Sequence, residues 1–168
     1  MPRKVLGSAL LIGTMALTTT PHVQAMPSAT SHSRPHHTTQ SATALRWQVA
    51  NLALSYRGYR YAYVGDTPWS GFSCVGFVHY IFAQYGYFVP ESAAIIAYRY
   101  PYVSPANLQP GDILLFTNTT FAGWSHAAIY LGGGQMIGAD NFAVGVHVDS
   151  IYDSYWWSHW SSSVRVIP

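Results

Sequence analysis

Apolar residues recur every three to four positions from Leu45 through Val49 and Leu52 to Tyr56, which puts one apolar stripe on a helix over residues 44–56. Ser41 and Thr43 offer hydroxyls that can cap its first turn, and Gly58 ends the pattern. Gly65 and the Asp66-Thr67-Pro68 run mark Tyr59 to Trp69 as a loop. A second helix is predicted from Cys74 to Gln84, with Ser73 as its N-cap and Gly86 as its stop. A shorter one fits Glu91 to Tyr98, after Pro90. Beyond Pro110-Gly111 the period changes. Asp112–Phe116 predicts a buried strand and His126–Leu131 a second; Gly132-Gly133-Gly134 turns the chain back into Gln135–Ala139. Val144–Ile151 gives another strand and Val164–Ile167 a last one. Helices first and an antiparallel sheet after them predict one α+β domain over residues 42–168, large enough for a single core.

The first residues follow another pattern. Arg3 and Lys4 precede an apolar run from Val5 to Leu17, Pro21 breaks it, and Val23-Gln24-Ala25 places small residues where a signal peptidase reads. Residues 1–25 are expected to be a cleaved secretory signal, too short in its apolar part to span a membrane. Residues 26–41, rich in Ser, Thr, Pro and His, read as a disordered linker. Setting the leader aside alters the charge account. The chain has 8 Lys+Arg and 6 Asp+Glu, and Arg3 and Lys4 leave with the leader, so the remainder is formally neutral. No basic stripe remains to grip phosphates, and nucleic acid is not an expected partner. Aromatic residues make up 15% of the chain, which suits neutral, hydroxyl-rich ligands and stacking better than charge steering.

Cys74 is the one cysteine of 168 residues and cannot close an internal disulfide. A leftover thiol in an oxidising compartment is a liability unless it finds a partner or performs chemistry. It stands at the start of a predicted helix, where free backbone N–H groups and the helix dipole favour a thiolate. A catalyst also needs a base within reach. His32, His36 and His37 fall in the linker; His79 lies five positions along the cysteine's own helix and points elsewhere. His147 alternates with Val146 and Val148 on the expected solvent face, and His159 sits in a Trp- and Ser-rich segment. His126 opens a strand, and a strand packed on the cysteine's helix can bring its imidazole to the thiol. Spacing alone leaves a second reading open, in which Cys74 is a small buried residue and His126 a polar group at a strand edge. One Cys and four His without ligand-like spacing predict no metal site, and no cofactor is expected.

Five segments occur in a characteristic order. They are Tyr56–Gly65 (YRGYRYAYVG), Gly71–Val78 (GFSCVGFV), Gln109–Phe116 (QPGDILLF), Ser125–Gly132 (SHAAIYLG), and the tail from Tyr155-Trp156-Trp157 through Val164-Arg165-Val166. Together, across residues 45–168, they resemble the NlpC-type cell-wall peptidases, papain-like cysteine hydrolases of the bacterial envelope. The resemblance implies a papain-like domain with helices packed on an antiparallel sheet, and a protein that is secreted or held in the cell envelope. It makes Cys74 the nucleophile and His126 the base and acid. The substrate it implies is a peptidoglycan stem peptide or another cell-wall peptide, cut at an amide typically after D-isoglutamate. Tyr61 matches a tyrosine that helps hold the stem peptide, and Ser73 and Trp124 are further candidate substrate contacts. The backbone N–H of Cys74, at an exposed helix start, is a candidate oxyanion donor.

Three positions depart from the family pattern. Ser73 stands where relatives carry aspartate and Val75 where they carry serine, which removes the natural partner for a free ammonium group on the substrate. Gly138 occupies the place of the polar residue that orients the catalytic histidine. Asp140, two residues on and on the same face if the strand continues, could accept a hydrogen bond from His126; it could equally be a turn residue beside Asn141. The sequence therefore leads to a secreted cysteine endopeptidase. Two alternatives remain: a degenerate wall-binding module, and an amidase or acyltransferase using the same pair.

Overall fold

The computed structural model describes residues 40–168; the leader expected over 1–25 and nearly all of the linker expected over 26–41 lie outside the described residues. Helix α1 (Ala42–Ser55) is capped by Ser41, whose hydroxyl accepts from the Ala44 N–H at 3.2 Å. It buries Val49, Ala50 and Ala53. Its buried Arg46 donates to the Ile167 and Pro168 carbonyls at 3.0 and 2.7 Å, tying the far end of the domain to the first helix. Helix α2 (Cys74–Ala83) starts where the sequence predicts, with Ser73 accepting from the Gly76 N–H at 3.0 Å. Helix α3 (Ala93–Arg99) begins two residues later than expected, because Ser92 is the cap that accepts from the Ile95 N–H.

Strands β3 (Ile113–Thr117), β4 (Trp124–Gly132), β5 (Gln135–Asn141), β6 (Gly145–Ser150) and β7 (Trp160–Val164) form one antiparallel sheet in the order β6-β5-β4-β3-β7. Ile113, Leu115, Ala127, Ile129 and Ile137 pack on one face against Val49, Phe77, Val78 and Ile81 of α1 and α2. The other face holds Leu114, Phe116, Ala128, Tyr130 and Met136 under Trp156 and Trp160. Burial on both faces explains why Ile113–Phe116 is continuously apolar instead of alternating. The sheet confirms the α+β expectation.

Three local features differ from the sequence reading. The loop expected from Tyr59 to Trp69 carries a small hairpin, β1 (Asp66–Thr67) with β2 (Gly71–Phe72), closed by hydrogen bonds between Thr67 and Ser70. A short helix α4 (Ser154–His159), capped by Asp153, occupies the Trp-rich segment. The last strand lies at Trp160–Val164, earlier than the expected Val164–Ile167. It is a sheet edge, where the polar Ser161-Ser162-Ser163 run is tolerated and hides the alternation. Among the described residues, no helix is long and apolar enough to cross a membrane.

Candidate active site

The site forms where the loop carrying β1 and β2 hands over to α2. Gly76 lets the two pack: a Cβ there would overlap the Gly65 carbonyl and stand 2.8 Å from Ser73 Oγ. Ser73 is buried, with its hydroxyl engaged as the cap of α2. Cys74 follows as the first residue of the helix, and its thiol reaches the Ser125 carbonyl at 3.9 Å. Burial pushes the thiol up. The neighbouring His126 imidazole and the backbone N–H groups of Ala127 and Val75 outweigh that, and the net shift is below the ordinary thiol value. The structure thus brings together the two residues that spacing could not join.

His126 is buried near the start of β4. Its ring packs against both Phe116 (centroids 5.7 Å apart) and Trp156 (4.9 Å, tilted 31°), which also touch each other at 5.0 Å. The β3–β4 register shifts between Phe116 and Thr117, opposite the histidine, and such irregularities re-aim side chains beside active sites. His126 Nε2 lies 3.3 Å from Asp140 Oδ1. That is close enough for an ion pair but out of line for a hydrogen bond, and Nε2 has no hydrogen-bond partner among the described residues.

Asp140 is on β5, not in a turn, and the β5–β6 register shifts between Ala139 and Asn141, so Asp140 is the extra residue of a bulge. The Gly138 departure acquires a reason here. A Cβ on Gly138 would stand 3.1 Å from both His126 Nε2 and Asp140 Oδ1, so the missing side chain is the room the carboxyl uses. Burial pushes Asp140 up to about 8, and a hydrogen bond with Asp149 adds to the effect.

A cleft of about 350 Å³ opens over the thiol. Tyr61, Ser73, Trp124 and Asp140 line it together with Cys74 and His126, so every sequence-predicted site residue meets in one place. Tyr61 packs edge-on against Phe142 at 4.8 Å, and burial, then the charge of Cys74, raises its phenol, which keeps it a hydrogen-bond donor. Trp124 is half-buried and packs against Tyr98. The other three histidines of the described residues do not line the cleft. His79 meets the Val89 carbonyl at 2.6 Å, and His159 contacts the Tyr155 carbonyl on α4. His147, expected on the solvent face, is 39% exposed but pairs with Asp149 at 3.3 Å. The sequence reading missed the exposed Glu91 on the cleft rim, the Trp156 stack and the Asp149 contact. Only Trp156 left a trace, within the tail segment.

The comparisons agree with this geometry. The NlpC/P60 family model matches residues 58–165. The chain is 39% identical over 109 residues to a γ-DL-glutamyl hydrolase of Bacillus subtilis, covering 64% of this chain and 26% of that protein. It is 38% identical over 105 residues to the probable endopeptidase p60 of Listeria seeligeri, covering 62% and 19%. The chain therefore spans about a quarter or less of the length of these relatives. The structure of the peptidoglycan hydrolase RipB of Mycobacterium tuberculosis superposes with a TM-score of 0.62 at 25% identity, covering 76% of this chain and 67% of that one. A cysteine at a helix start, a histidine on the adjoining sheet and a family match enclosing both lead to one conclusion: the chain belongs to the NlpC/P60 family.

Proposed function

We propose that the domain is a cysteine hydrolase that cuts a γ-glutamyl amide bond in a cell-wall peptide. The observation that carries this reading is Cys74 at the start of α2 with its thiol held low by His126, at the floor of an open cleft. The thiolate adds to the scissile carbonyl carbon. The developing oxyanion is met by the Cys74 N–H, a first-turn donor that the helix leaves free. Collapse of the tetrahedral intermediate breaks the C–N bond, and the His126 imidazolium gives its proton to the leaving amine. Water, deprotonated by His126, then adds to the thioester and releases the acid with the thiol restored. Trp156 and Phe116 hold the ring plane, and Asp140 faces its far nitrogen. With the leader expected over residues 1–25, the reading is of a secreted enzyme of the envelope.

The likeness to a peptidoglycan hydrolase and to a probable endopeptidase supports a peptidoglycan stem peptide as the substrate class. A second reading, a γ-glutamyl chain, is favoured by one observation. The Ser73 hydroxyl is occupied as a helix cap and carries no charge, so position 73 offers no carboxylate to receive a free ammonium group. The exposed carboxylate nearest that task is Glu91 on the rim. Mass spectrometry of fragments released from defined muropeptides and from γ-linked oligoglutamate tests both. Cleavage of either at a γ-glutamyl amide, lost in Cys74→Ala, is expected. Failure of the wild type to cut any peptidoglycan or γ-glutamyl substrate overturns the hydrolase reading.

A further inference from the structure

The catalytic pair is attached to a line of polar groups that runs out to the edge of the sheet. His126 Nε2 is 3.3 Å from Asp140 Oδ1, and His147 Nδ1 is 3.3 Å from Asp149 Oδ2. Ligand-type atoms of Asp140, His147 and Asp149 all lie within 4.8 Å of one another. Strand pairing sets this up. His147 stands opposite Gly138 and Asp149 opposite Met136, so both β6 side chains share a face with Gly138, and the bulge carries Asp140 toward them. With no side chain at 138, nothing separates the carboxyl from the histidine or from β6.

We propose that Asp149 and His147 are positioning residues for the Cys74–His126 pair, acting through Asp140, so that charge on the edge strand β6 sets how firmly the thiolate–imidazolium pair is held. The inference rests on the reading of His126 as the catalytic base. Two carboxyl groups within 4.8 Å of one another at a largely buried site do not both ionise readily, and one keeps a proton. Asp140 is the more buried of the two and is raised to about 8, so near neutral pH it is mainly a neutral carboxyl. In that form its carbonyl oxygen faces the His126 N–H while its own O–H donates to Asp149. Once ionised it stabilises the imidazolium by charge. Asp149 opposes the ionisation, and a protonated His147 promotes it. The other ionisable groups around Asp140 are Cys74 from α2, Tyr61 from the segment before β1, Glu91 from the segment before α3, and Tyr155 from α4 across a side cavity of about 220 Å³.

The test follows the rate of Cys74 alkylation by iodoacetamide against pH on the whole protein, a readout that needs no knowledge of the substrate. Asp149→Asn removes the opposing charge without changing shape. It is expected to move the midpoint of the profile to lower pH and speed alkylation near neutrality by roughly three- to tenfold, the effect of a shift of half a unit to one unit. His147→Lys, at a position 39% exposed and tolerant of a longer chain, is expected to move it in the same direction by less. Asp140→Asn moves the midpoint up, and in that background Asp149→Asn adds little. If Asp149→Asn and Asp140→Asn instead slow alkylation alike, or act additively, the residues are merely structural and the proposal falls. His126→Ala separates the two levels. If it leaves the wild-type profile intact, the base reading itself fails; if it abolishes the profile while Asp149→Asn shifts nothing, only the present inference fails. Zinc held by the same three donors is the competing use. Alkylation altered by EDTA and restored by Zn²⁺ overturns the relay in its favour.

Discussion

Replacing Gly138 with alanine puts the proposed seating of Asp140 to a steric test. The added methyl would stand 3.1 Å from His126 Nε2, 3.1 Å from Asp140 Oδ1 and 3.3 Å from Ala128 Cβ. Comfortable heavy-atom contact is about 3.5–4.0 Å, so each neighbour is a few tenths of an ångström too near. Ala128 is fully buried in the central strand and cannot yield, which leaves the imidazole and the carboxyl to move. Overpacking of this size costs about 1–3 kcal/mol, and displacement of a catalytic ring by a fraction of an ångström costs roughly ten- to a hundredfold in rate. Thermal unfolding and kcat/KM on a defined muropeptide read the two effects separately. A Tm lower by a few degrees with kcat/KM down at least tenfold is expected. Gly138→His, which fills the same space with a larger polar side chain, is expected to be worse alone and to recover activity when combined with Asp140→Ala. Wild-type kcat/KM and Tm in Gly138→Ala would refute the idea that room at 138 seats the carboxyl.

Three further outcomes follow from the same structure. Asp140 binds its proton in the folded state up to about pH 8 against an ordinary value of 3.8, so it lowers stability progressively as pH rises between those values. Asp140→Asn is therefore expected to melt higher than wild type at pH 8 and equally at pH 4, with a gain of at most about 4 kcal/mol at pH 7, and differential scanning calorimetry across pH checks it. Asp112 is completely buried, receives Arg165 at 2.8 Å on both oxygens and the Gln109 N–H on one, and so Arg165→Ala strands a buried carboxylate. A loss of about 3 kcal/mol in urea unfolding is expected. Glu91→Gln is expected to raise KM several-fold for substrates with a free amine while leaving kcat and amine-free substrates unchanged, because the residue lies on the rim and not beside the thiol.

The sequence was most legible where one local rule decides. Ser41 and Ser73 announced the first two helices because a hydroxyl before an apolar run has few other uses, and both act as caps. The glycine turns bounded β4 and β5 closely. The Cys74–His126 meeting needed the resemblance, since 52 residues separate the two and only the packed sheet brings them together. Asp140 was foreseen as one of two uses and stands on the strand, but its bulge has no signature in the sequence. His147 looked solvent-facing by alternation, and it is only 39% exposed; Asp149 comes within 4.8 Å of Asp140 through cross-strand register, which no periodicity reveals. The serine-rich β7 stayed hidden because an edge strand needs no apolar alternation.

The central claim is that Cys74 attacks an amide carbonyl with His126 as its acid and base. Rapid acid quench of the protein mixed with a γ-glutamyl muropeptide, followed by intact-mass analysis and peptide mapping, reads the intermediate itself. The account predicts an acyl adduct on Cys74 that decays as hydrolysed product appears, that is absent in Cys74→Ala, and that forms far more slowly in His126→Ala. Product formation at the wild-type rate by Cys74→Ala, or wild-type turnover that passes through no adduct on Cys74 under any quench time, would contradict it.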